Sequence, residues 1–249
     1  MLKPRKFTIH SHHFWMLPVT GDTFCMGSKK DDPDAYSWEQ PAHKVELNTF
    51  YLSQYPVTQA LWLAVMELEK EEDIPFYFTG AHRPAERVSW DAVQLFIKKL
   101  LAATDQPFRL PTEAEWEFAA RGGIYNLNHK YAGSNRLKEV AWYNLNSHGE
   151  SKSAGRKYPN ELGLFDMSGN VWEWCEDWFG GSEYYQECKE KGLVVNPVGP
   201  EQGSTHVSRG GSWSNRPRDC RAALRGYGRP GNRNFNLGFR LALSLQSET

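Results

Sequence analysis

The sequence predicts a single α+β domain with little regular secondary structure. Its 249 residues contain no Ser/Gly run, charge block or low-complexity tract that could act as a linker, so we expect one domain, large enough to bury a sizeable core. The chain combines 10 Trp, 11 Tyr and 13 Phe with 21 Gly and 14 Pro. Rigid aromatic side chains among many turn-forming residues favour a loop-rich fold, with two to three helices and small antiparallel sheets.

The charge balance and the cysteines exclude several classes of protein. The formal net charge is -1, so the molecule as a whole has no field that would recruit nucleic acid or an anionic membrane. Residues 1–6 are basic, but no apolar run of signal-peptide or membrane-span length follows them, which predicts a cytoplasmic protein. Four Cys residues are too sparse for a disulfide scaffold, and no two have zinc half-site spacing.

The N-terminal part of the chain predicts short strands. Residues 14–17 and 23–26 flank the turn-rich connection 18–22, which together predict a hairpin. Residues 44–47 alternate in polarity and residues 50–52 follow after a short turn, so two further strands are expected there.

Three helices begin at recognisable caps. Thr58 precedes a helix predicted over residues 59–70, and Ser89 precedes a helix whose apolar face extends to Leu100. Thr112 and Glu115 have the spacing of a capping box and predict a short third helix, which the Gly pair at 122–123 ends. Beyond residue 124, Gly, Asn, Pro and aromatic residues dominate, so no further helix is expected.

Several long segments occur in a fixed order and together resemble one protein family. They are Tyr55-Pro56-Val57-Thr58, Arg109-Leu110-Pro111-Thr112-Glu113-Ala114-Glu115-Trp116-Glu117, Ala119-Ala120-Arg121-Gly122-Gly123, Gly163-Leu164-Phe165-Asp166-Met167-Ser168-Gly169-Asn170-Val171-Trp172-Glu173-Trp174, Arg209-Gly210-Gly211-Ser212-Trp213 and Asn236-Leu237-Gly238-Phe239-Arg240. The set resembles the sulfatase-modifying-factor family, whose founding formylglycine-generating enzymes oxidise a sulfatase Cys to formylglycine. The resemblance covers residues 14–243.

The resemblance implies a variant of the C-type-lectin fold. One such domain would span residues 1–249, with residues 209–243 as a C-terminal variable and ligand-binding segment. We expect a tight backbone approach at the Gly pair 210–211. The Trp and Arg residues of these segments are expected in the protein interior. Trp116, Trp172 and Trp174 should be core anchors, and Arg121 and Arg240 should be internally paired.

The same resemblance argues against catalysis. The family's oxidase binds copper(I) between two Cys just past the Gly-Gly-Ser-aromatic segment, because soft thiolates favour that ion. Here the corresponding stretch, residues 214–220, is shorter and offers only Cys220, which aligns better with a later, structural Cys of the family. We therefore expect no copper, no catalytic residue and no enzymatic activity.

Another branch of the family uses non-haem iron and is fused to a His-rich metal domain. No such partner domain is expected in this chain, so the cluster His10, His12 and His13 is interpreted as a solvated tail or strand.

Residues 214–236 have an unusual composition. They include six Arg and one Asp but no Lys, Glu, Gln, Met or Trp, the five residue types that codons ending in a pyrimidine cannot encode. Substitution of the two adenines of an Asn codon, AAC, yields many of the residues found here. The pattern resembles the variable region of a protein diversified by a retroelement with adenine-directed mutagenesis; an ordinary Arg- and Asn-rich family loop is the alternative.

Such a segment would act as an adaptable binding surface. Tyr and Phe give rigid contact area, Arg gives forked donors, and Gly and Ser give an adaptable backbone, as in an antibody paratope. Tyr227, Arg229 and Phe235 are expected to be exposed on one face, between buried strands at 209–213 and 237–241. The predicted ligand-binding residues are Ser214, Asn215, Arg216, Asp219, Leu224, Gly226, Tyr227, Gly228, Arg229, Asn234 and Phe235.

A structural calcium site is also implied by the resemblance. Asp166, Gly169, Val171 and Glu173 match positions that bind calcium in the family's enzymes, and they offer two carboxylates and two backbone carbonyls, the hard oxygen ligands that calcium prefers. The alternative is that Glu173 pairs with an internal Arg.

Three functions remain open. The first is a non-catalytic protein that binds a ligand, expected to be another protein, through the surface at 214–236, with no nucleic-acid or membrane partner. The second is a formylglycine-generating-type oxidase acting on a peptide Cys. The third is a regulatory or scaffold module, since such domains also accompany kinases. The oligomeric state and the ligand's identity do not follow from the sequence.

Overall fold

The structure is a computed structural model that describes residues 2–67 and 75–245. Its strands are β1 Arg5–Ile9, β2 His12–Val19, β3 Thr23–Met26, β4 His43–Glu46, β5 Phe50–Ser53, β6 Phe108–Arg109, β7 Trp172–Trp178, β8 Leu193–Val195, β9 His206–Arg209, β10 Arg225–Gly228, β11 Leu237–Phe239 and β12 Ala242–Ser244. Its helices are α1 Gln59–Met66, α2 Trp90–Thr104, α3 Glu113–Ala120, α4 Leu137–Val140 and α5 Gly181–Glu190. Among the described residues, no helix has the length and apolarity that a membrane crossing requires.

The strands form three small sheets. A five-stranded antiparallel sheet has the order β1-β2-β5-β12-β6, so the last strand of the chain lies between strands from the first half. A four-stranded sheet has the order β10-β9-β7-β11, and a three-stranded sheet has the order β3-β4-β8. The β7–β11 and β4–β8 pairs are parallel, so the prediction of α+β architecture with small sheets is confirmed, but the sheets are not purely antiparallel.

The predicted hairpin over residues 14–26 is wrong. Strand β2 pairs with β1 and β5, whereas β3 pairs with β4 in a different sheet. The turn-rich connection at 18–22 therefore carries the chain from one sheet to another. Turn residues alone do not indicate whether the chain reverses within one sheet or crosses to a second one. The strands predicted near residues 44–47 and 50–52 are present as β4 and β5, again in different sheets.

The three predicted N-caps are confirmed. Thr58 accepts a hydrogen bond from the Leu61 N–H of α1, and Ser89 does the same for the Ala92 N–H of α2. Thr112 and Glu115 form the reciprocal capping box of α3. Helix α1 ends at Met66, and residues 68–70 of its predicted extent lie outside the described residues.

The prediction that no helix follows residue 124 is wrong, because α4 and α5 lie in that part of the chain. Helix α5 is mostly polar and exposed, and only Tyr185 and Cys188 are buried. Two inward-facing residues three positions apart give a weak amphipathic pattern. The helix is fixed by packing of Tyr185, whose hydroxyl donates to Glu113 of α3, a contact that no local pattern reveals.

Aromatic side chains organise the core. Trp62 stacks on Phe96 with ring centroids 5.2 Å apart, and Phe96 meets Phe239 edge-on at the same centroid distance. Trp116 and Trp174 are fully buried, as predicted, but Trp172 is only partly buried. Trp172 packs against the core, and its indole also donates to Asn215 of the C-terminal segment.

Helix α3 is buried along its whole length, and its carboxylates are paired with arginines. Glu113 accepts from Arg225 Nε at 2.6 Å, Glu115 binds Arg109 through both oxygens, and Glu117 pairs with Arg209 and Arg121. Burial alone would raise the pKa of Glu117, but Arg121, Arg209 and Arg225 lower it to about 2. The ion pairs therefore keep this buried carboxylate charged and tie α3 to β9 and β10.

Candidate ligand-binding site

Two buried strands frame the C-terminal segment. It leaves β9, passes the Gly pair at 210–211, returns as β10 beside β9, and ends at β11. Both glycines have positive φ, and a Cβ at Gly211 would lie 2.2 Å from the carbonyl oxygen of Asp219. The predicted tight backbone approach is thus present. Strand β9 ends at Arg209, so the predicted buried strand does not continue to Trp213, which is partly exposed.

Two arginines fix the inner side of the segment. Arg221 donates to Glu39 at 2.7 Å, and Arg225 donates to Glu113 while its guanidinium lies 3.8 Å from the ring centroid of Tyr185. Both arginines are about 2% exposed. These two of the segment's six arginines are therefore internal ion-pair partners and are unavailable to a ligand.

Leu224 and Gly228 were predicted to bind ligand and are instead buried. Leu224 is 3% exposed, and a Cβ at Gly228 would lie 2.8 Å from the Trp174 ring. Codon type, which selected both residues, carries no information about the side of the backbone that each one faces. The binding prediction is therefore corrected at these two positions.

Polar members of the predicted set support the surface from within. The Oδ1 atom of Asn215 accepts from Trp172 Nε1 at 2.9 Å and from the Ser212 hydroxyl. Asn236 donates to the hydroxyls of Ser212 and Ser214 at 3.1 Å. Asp219 accepts from the Tyr36 hydroxyl at 2.9 Å. These bonds hold the loops that display the exposed residues.

An exposed aromatic cluster lies at the end of the segment. Phe235 packs against Trp213 and Tyr77, with ring centroids 5.7 Å apart in both pairs, and Phe78 meets Trp213 edge-on at 5.4 Å. Tyr77 and Phe235 are 63% and 46% exposed. We call these four residues the aromatic patch. Sequence reasoning missed Tyr77 and Phe78, although the aromatic run from Phe76 to Phe78 beside polar residues was a visible signal.

Tyr227 is exposed, as predicted, but it lies outside the aromatic patch. Its ring stacks on Phe179 at 4.4 Å. Side chains alternate along a strand, so Tyr227 points away from the side of β10 where Gly226 approaches the Trp172 ring. The expected single face for Tyr227 and Phe235 is thus divided between two aromatic contacts.

A buried carboxyl group holds the backbone of the aromatic patch. Glu86 Oε1 accepts from the N–H groups of Tyr77 and Phe78 at 2.5 and 2.9 Å. Glu86 is fully buried, and its Oε2 atom has no hydrogen-bond partner among the described residues. Burial raises its pKa to about 7, against the opposing effect of the two N–H donors and of Arg87 and Arg83.

Exposed arginines occur in the C-terminal segment and at the neighbouring Arg87. Arg216, Arg229 and Arg233 are exposed, as predicted for the first two, and Arg87 is exposed where its backbone N–H donates to the Asn234 carbonyl. Within residues 2–67 and 75–245, none of these four side chains has an ion-pair partner within 4 Å. These four guanidinium groups are therefore not committed to internal ion pairs within the described part of the chain.

The four cysteines bear on the copper(I) site that the family's oxidase uses. Cys220 is fully buried, and burial raises its pKa to about 12, so it is a thiol at neutral pH. Cys175 and Cys188 are also buried, with raised pKa values, and Cys25 is exposed on β3. A copper(I) site of the family's kind needs two thiolates, and the stretch from Ser214 to Cys220 contains one Cys, so the residues present do not fit that ion.

The four residues implied in calcium binding also fit the ion poorly. Both carboxylate oxygens of Glu173 accept from Arg240, at 2.6 and 2.8 Å, and Oε2 also accepts from Trp116. Asp166 accepts from the Gly155 N–H and from Asn170, and burial raises its pKa to about 6. The charge of Glu173 is thus neutralised by an internal Arg, which is the alternative interpretation, and the described residues contain no cluster of three His, Cys, Asp or Glu that could hold a metal.

The fold and the site together define a C-type-lectin-like domain that displays loops between two buried strands. The chain belongs to the sulfatase-modifying factor family, because the family model described as the Sulfatase-modifying factor enzyme 1-like domain matches residues 12–245.

The chain is similar to individual proteins that carry different names. The chain is 30% identical to Treponema denticola variable protein 1, with a TM-score of 0.86 and coverage of 98% of this chain and 100% of that one. It is 30% identical to the formylglycine-generating enzyme of Streptomyces coelicolor over 90% of this chain and 87% of the enzyme. It is 32% identical to the serine/threonine-protein kinase pkn1 of Chlamydia caviae over 93% of this chain, which spans 38% of the kinase's length.

The pairing of Glu173 makes a prediction about calcium. We expect calcium and a chelator to leave the melting temperature unchanged, because Arg240 already compensates the carboxylate. Glu173→Gln should lower the free energy of unfolding by about 3–5 kcal/mol, since it leaves a buried guanidinium without its partner. Thermal unfolding with calcium or chelator measures the first effect and urea denaturation the second, with the exposed Glu187→Gln as control. Calcium-dependent stabilisation that Glu173→Gln removes would instead establish a calcium site.

Glu86 makes a prediction about pH. Its pKa is raised in the folded state, so the folded protein holds the proton more tightly and loses stability as the pH rises from about 4.5 to about 7. The loss attributable to this group is on the order of 3 kcal/mol. Glu86→Gln should remove it and be more stable than the parent at pH 8. Unfolding measured at pH 5 and pH 8 tests this, with the exposed Glu183→Gln as control; equal pH dependence in parent and Glu86→Gln would contradict it.

Proposed function

We propose that this protein is a non-catalytic binding protein that recognises an acidic protein ligand through the aromatic patch and the exposed arginines of the C-terminal segment. The observation that carries the proposal is that the C-terminal segment displays exposed aromatic rings together with exposed guanidinium groups that have no ion-pair partner among the described residues. Aromatic residues and Arg are the side chains most often found as energetic anchors of protein interfaces. Here they are displayed on loops whose inner side is fixed by buried ion pairs.

Rigidity of the scaffold favours this function. Arg221 and Arg225 bind Glu39 and Glu113 behind the surface, and Glu86 fixes the backbone of Tyr77 and Phe78. A surface that is ordered before binding loses less conformational entropy when the ligand docks. The outer side chains can change without loss of these contacts, as an adaptable binding surface requires.

Diversification of residues 214–236 is part of the proposal. The similarity to Treponema denticola variable protein 1 supports it, and so does the residue composition of the segment. Ser214, Arg216, Tyr227, Arg229 and Phe235 are all exposed residues that an adenine-substituted Asn codon can encode. A near-identical copy of the C-terminal coding segment beside a reverse-transcriptase gene would support diversification, and its absence would leave a fixed binding surface.

An oxidase is the second candidate, favoured by the similarity to formylglycine-generating enzymes. We predict no conversion of a sulfatase-type Cys peptide to formylglycine, with or without copper, because the single Cys of the stretch is a buried thiol. Mass spectrometry of the peptide after incubation is the measurement, with Cys220→Ala as the control. An aldehyde product formed by the parent but not by this variant would establish catalysis. A regulatory module, favoured by the kinase relatives, would bind through the same surface.

The binding surface is tested by selection from a random peptide library displayed on phage. Peptides retained by the parent should be rich in Asp and Glu. Replacement of Arg216, Arg229 and Arg233 by Ser should abolish that enrichment, because it removes the unpaired guanidinium groups. Replacement of the distant, exposed Lys3, Lys6 and Lys98 by Ser makes the same change in net charge and should have no effect. Retention of a single-stranded oligonucleotide in place of peptides would overturn the proposal.

The aromatic side chains are tested with the same selected peptides. Tyr77→Ser with Phe235→Ser should weaken peptide binding at least about tenfold, as expected for interface anchors, and change the free energy of unfolding by only about 0.5 kcal/mol. Phe239→Ala, in the core, should cost roughly 3–5 kcal/mol. A double variant that unfolds as readily as Phe239→Ala would show that the two exposed rings are structural.

A further inference from the structure

A second concavity lies away from the C-terminal segment. It is a cleft of about 490 Å³, within the size range of small-molecule sites. Its walls come from five separate parts of the chain: residues 11–15 at the turn into β2, the stretch from β5 into α1, His82, the loop 154–156, and Leu241. It includes Tyr55-Pro56-Val57-Thr58, a segment of the family pattern that the binding surface does not use.

The walls of the cleft are fixed by hydrogen bonds and packing. The Gln54 N–H donates to the Trp15 carbonyl at 2.9 Å, which joins two of the walls. The Ala154 N–H donates to the His82 carbonyl at 2.8 Å, and the Gly155 N–H donates to Asp166. A Cβ at Gly155 would lie 2.5 Å from the Tyr55 ring, so the backbone of the loop packs directly on that ring. The cleft is therefore preformed.

The floor and the rim of the cleft differ in chemistry. Val57, Leu61 and Leu241 are buried and give the floor an apolar character. The rim carries Arg156 and His82, which are exposed and have no side-chain hydrogen bond or ion pair among the described residues. His12 and His13 of β2 also line the cleft, and His13 Nδ1 is hydrogen-bonded to the Thr8 hydroxyl. No described residue lining the cleft is Asp or Glu.

This combination selects an organic anion. Arg is permanently cationic and can bind a carboxylate through two parallel N–H donors, and a neutral or charged imidazole supplies at least one further N–H. A metal ion is a poor candidate, because the described part of the chain has no convergent group of three His, Cys, Asp or Glu. The apolar floor, in turn, would stabilise a hydrocarbon body more than a fully hydrated ion.

We propose that this cleft binds a small organic carboxylate with an apolar body, with the carboxylate at Arg156 and His82 and the body over Val57 and Leu61. The site is separate from the aromatic patch and requires none of its residues. Binding here would add a small-molecule site to a protein that we propose binds another protein through a different surface.

Ligand-detected NMR with the full chain tests the proposal. The probe is 3-phenylpropionate, with 3-phenyl-1-propanol as its neutral counterpart and inorganic phosphate as an anion without an apolar body. We expect the carboxylate to bind at least about tenfold more tightly than either comparison compound, since it alone satisfies both the rim and the floor. Arg156→Gln should weaken its binding about tenfold, whereas Arg136→Gln, at an exposed site that does not line the cleft, should leave it unchanged.

Each other outcome would overturn the proposal. Equal binding of the alcohol would show an apolar cleft without anion selectivity, and equal binding of phosphate would show a general anion site. Binding unaffected by Arg156→Gln, or no binding of any probe, would remove the assigned carboxylate contact. Because peptide selection does not involve the cleft, a failure here leaves the proposed function of the C-terminal surface intact.

Discussion

The pairing of buried carboxylates with buried arginines is the constraint on which the rest of the structure depends. Glu113 and Glu117 of α3 are almost completely excluded from water. Glu113 contacts the guanidinium of Arg225 on β10, and Glu117 contacts that of Arg209 on β9. An isolated charge in such a place would be prohibitively costly, and removing one partner typically costs about 3–5 kcal/mol. The pairs thus fix the relative positions of α3, β9 and β10, while the Gly27 N–H bound to Glu117 brings in the N-terminal loop.

These arginines also compensate for the small amount of regular secondary structure. Loops leave backbone carbonyls without ladder partners, and buried carbonyls need donors. Arg240 donates to the carbonyls of Ser53 and Phe165 as well as to Glu173, and Arg209 donates to the Ala223 carbonyl. One planar side chain therefore satisfies acceptors from several segments. The arginines thus join irregular segments that no sheet ladder connects.

The sequence predicted features that are local and missed features that depend on distant partners. The caps at Thr58, Ser89 and Thr112 were predicted because each cap contacts a residue only three positions away. The pairing of β2 was mispredicted because its partners, β1 and β5, are chosen by the whole sheet. Within the candidate site, composition identified exposed residues such as Phe235 but could not show that Leu224 faces inward. Tyr77 joins Phe235 only because the fold brings together residues far apart in sequence.

The segment from Asp166 to Glu173 links the separate parts of the molecule. Asp166, with a left-handed backbone, receives the Gly155 N–H of the cleft wall, and Trp172 donates to Asn215 beneath the C-terminal surface. At the end of the segment, Glu173 binds both Arg240 and Trp116 in the core. The segment from Asp166 to Glu173 therefore contacts the cleft wall, the C-terminal segment and the interior. Because packed interiors transmit strain, a change at Glu173 acts on the framework that both sites share, whereas changes at exposed residues such as Arg229 or Arg156 act on one site alone.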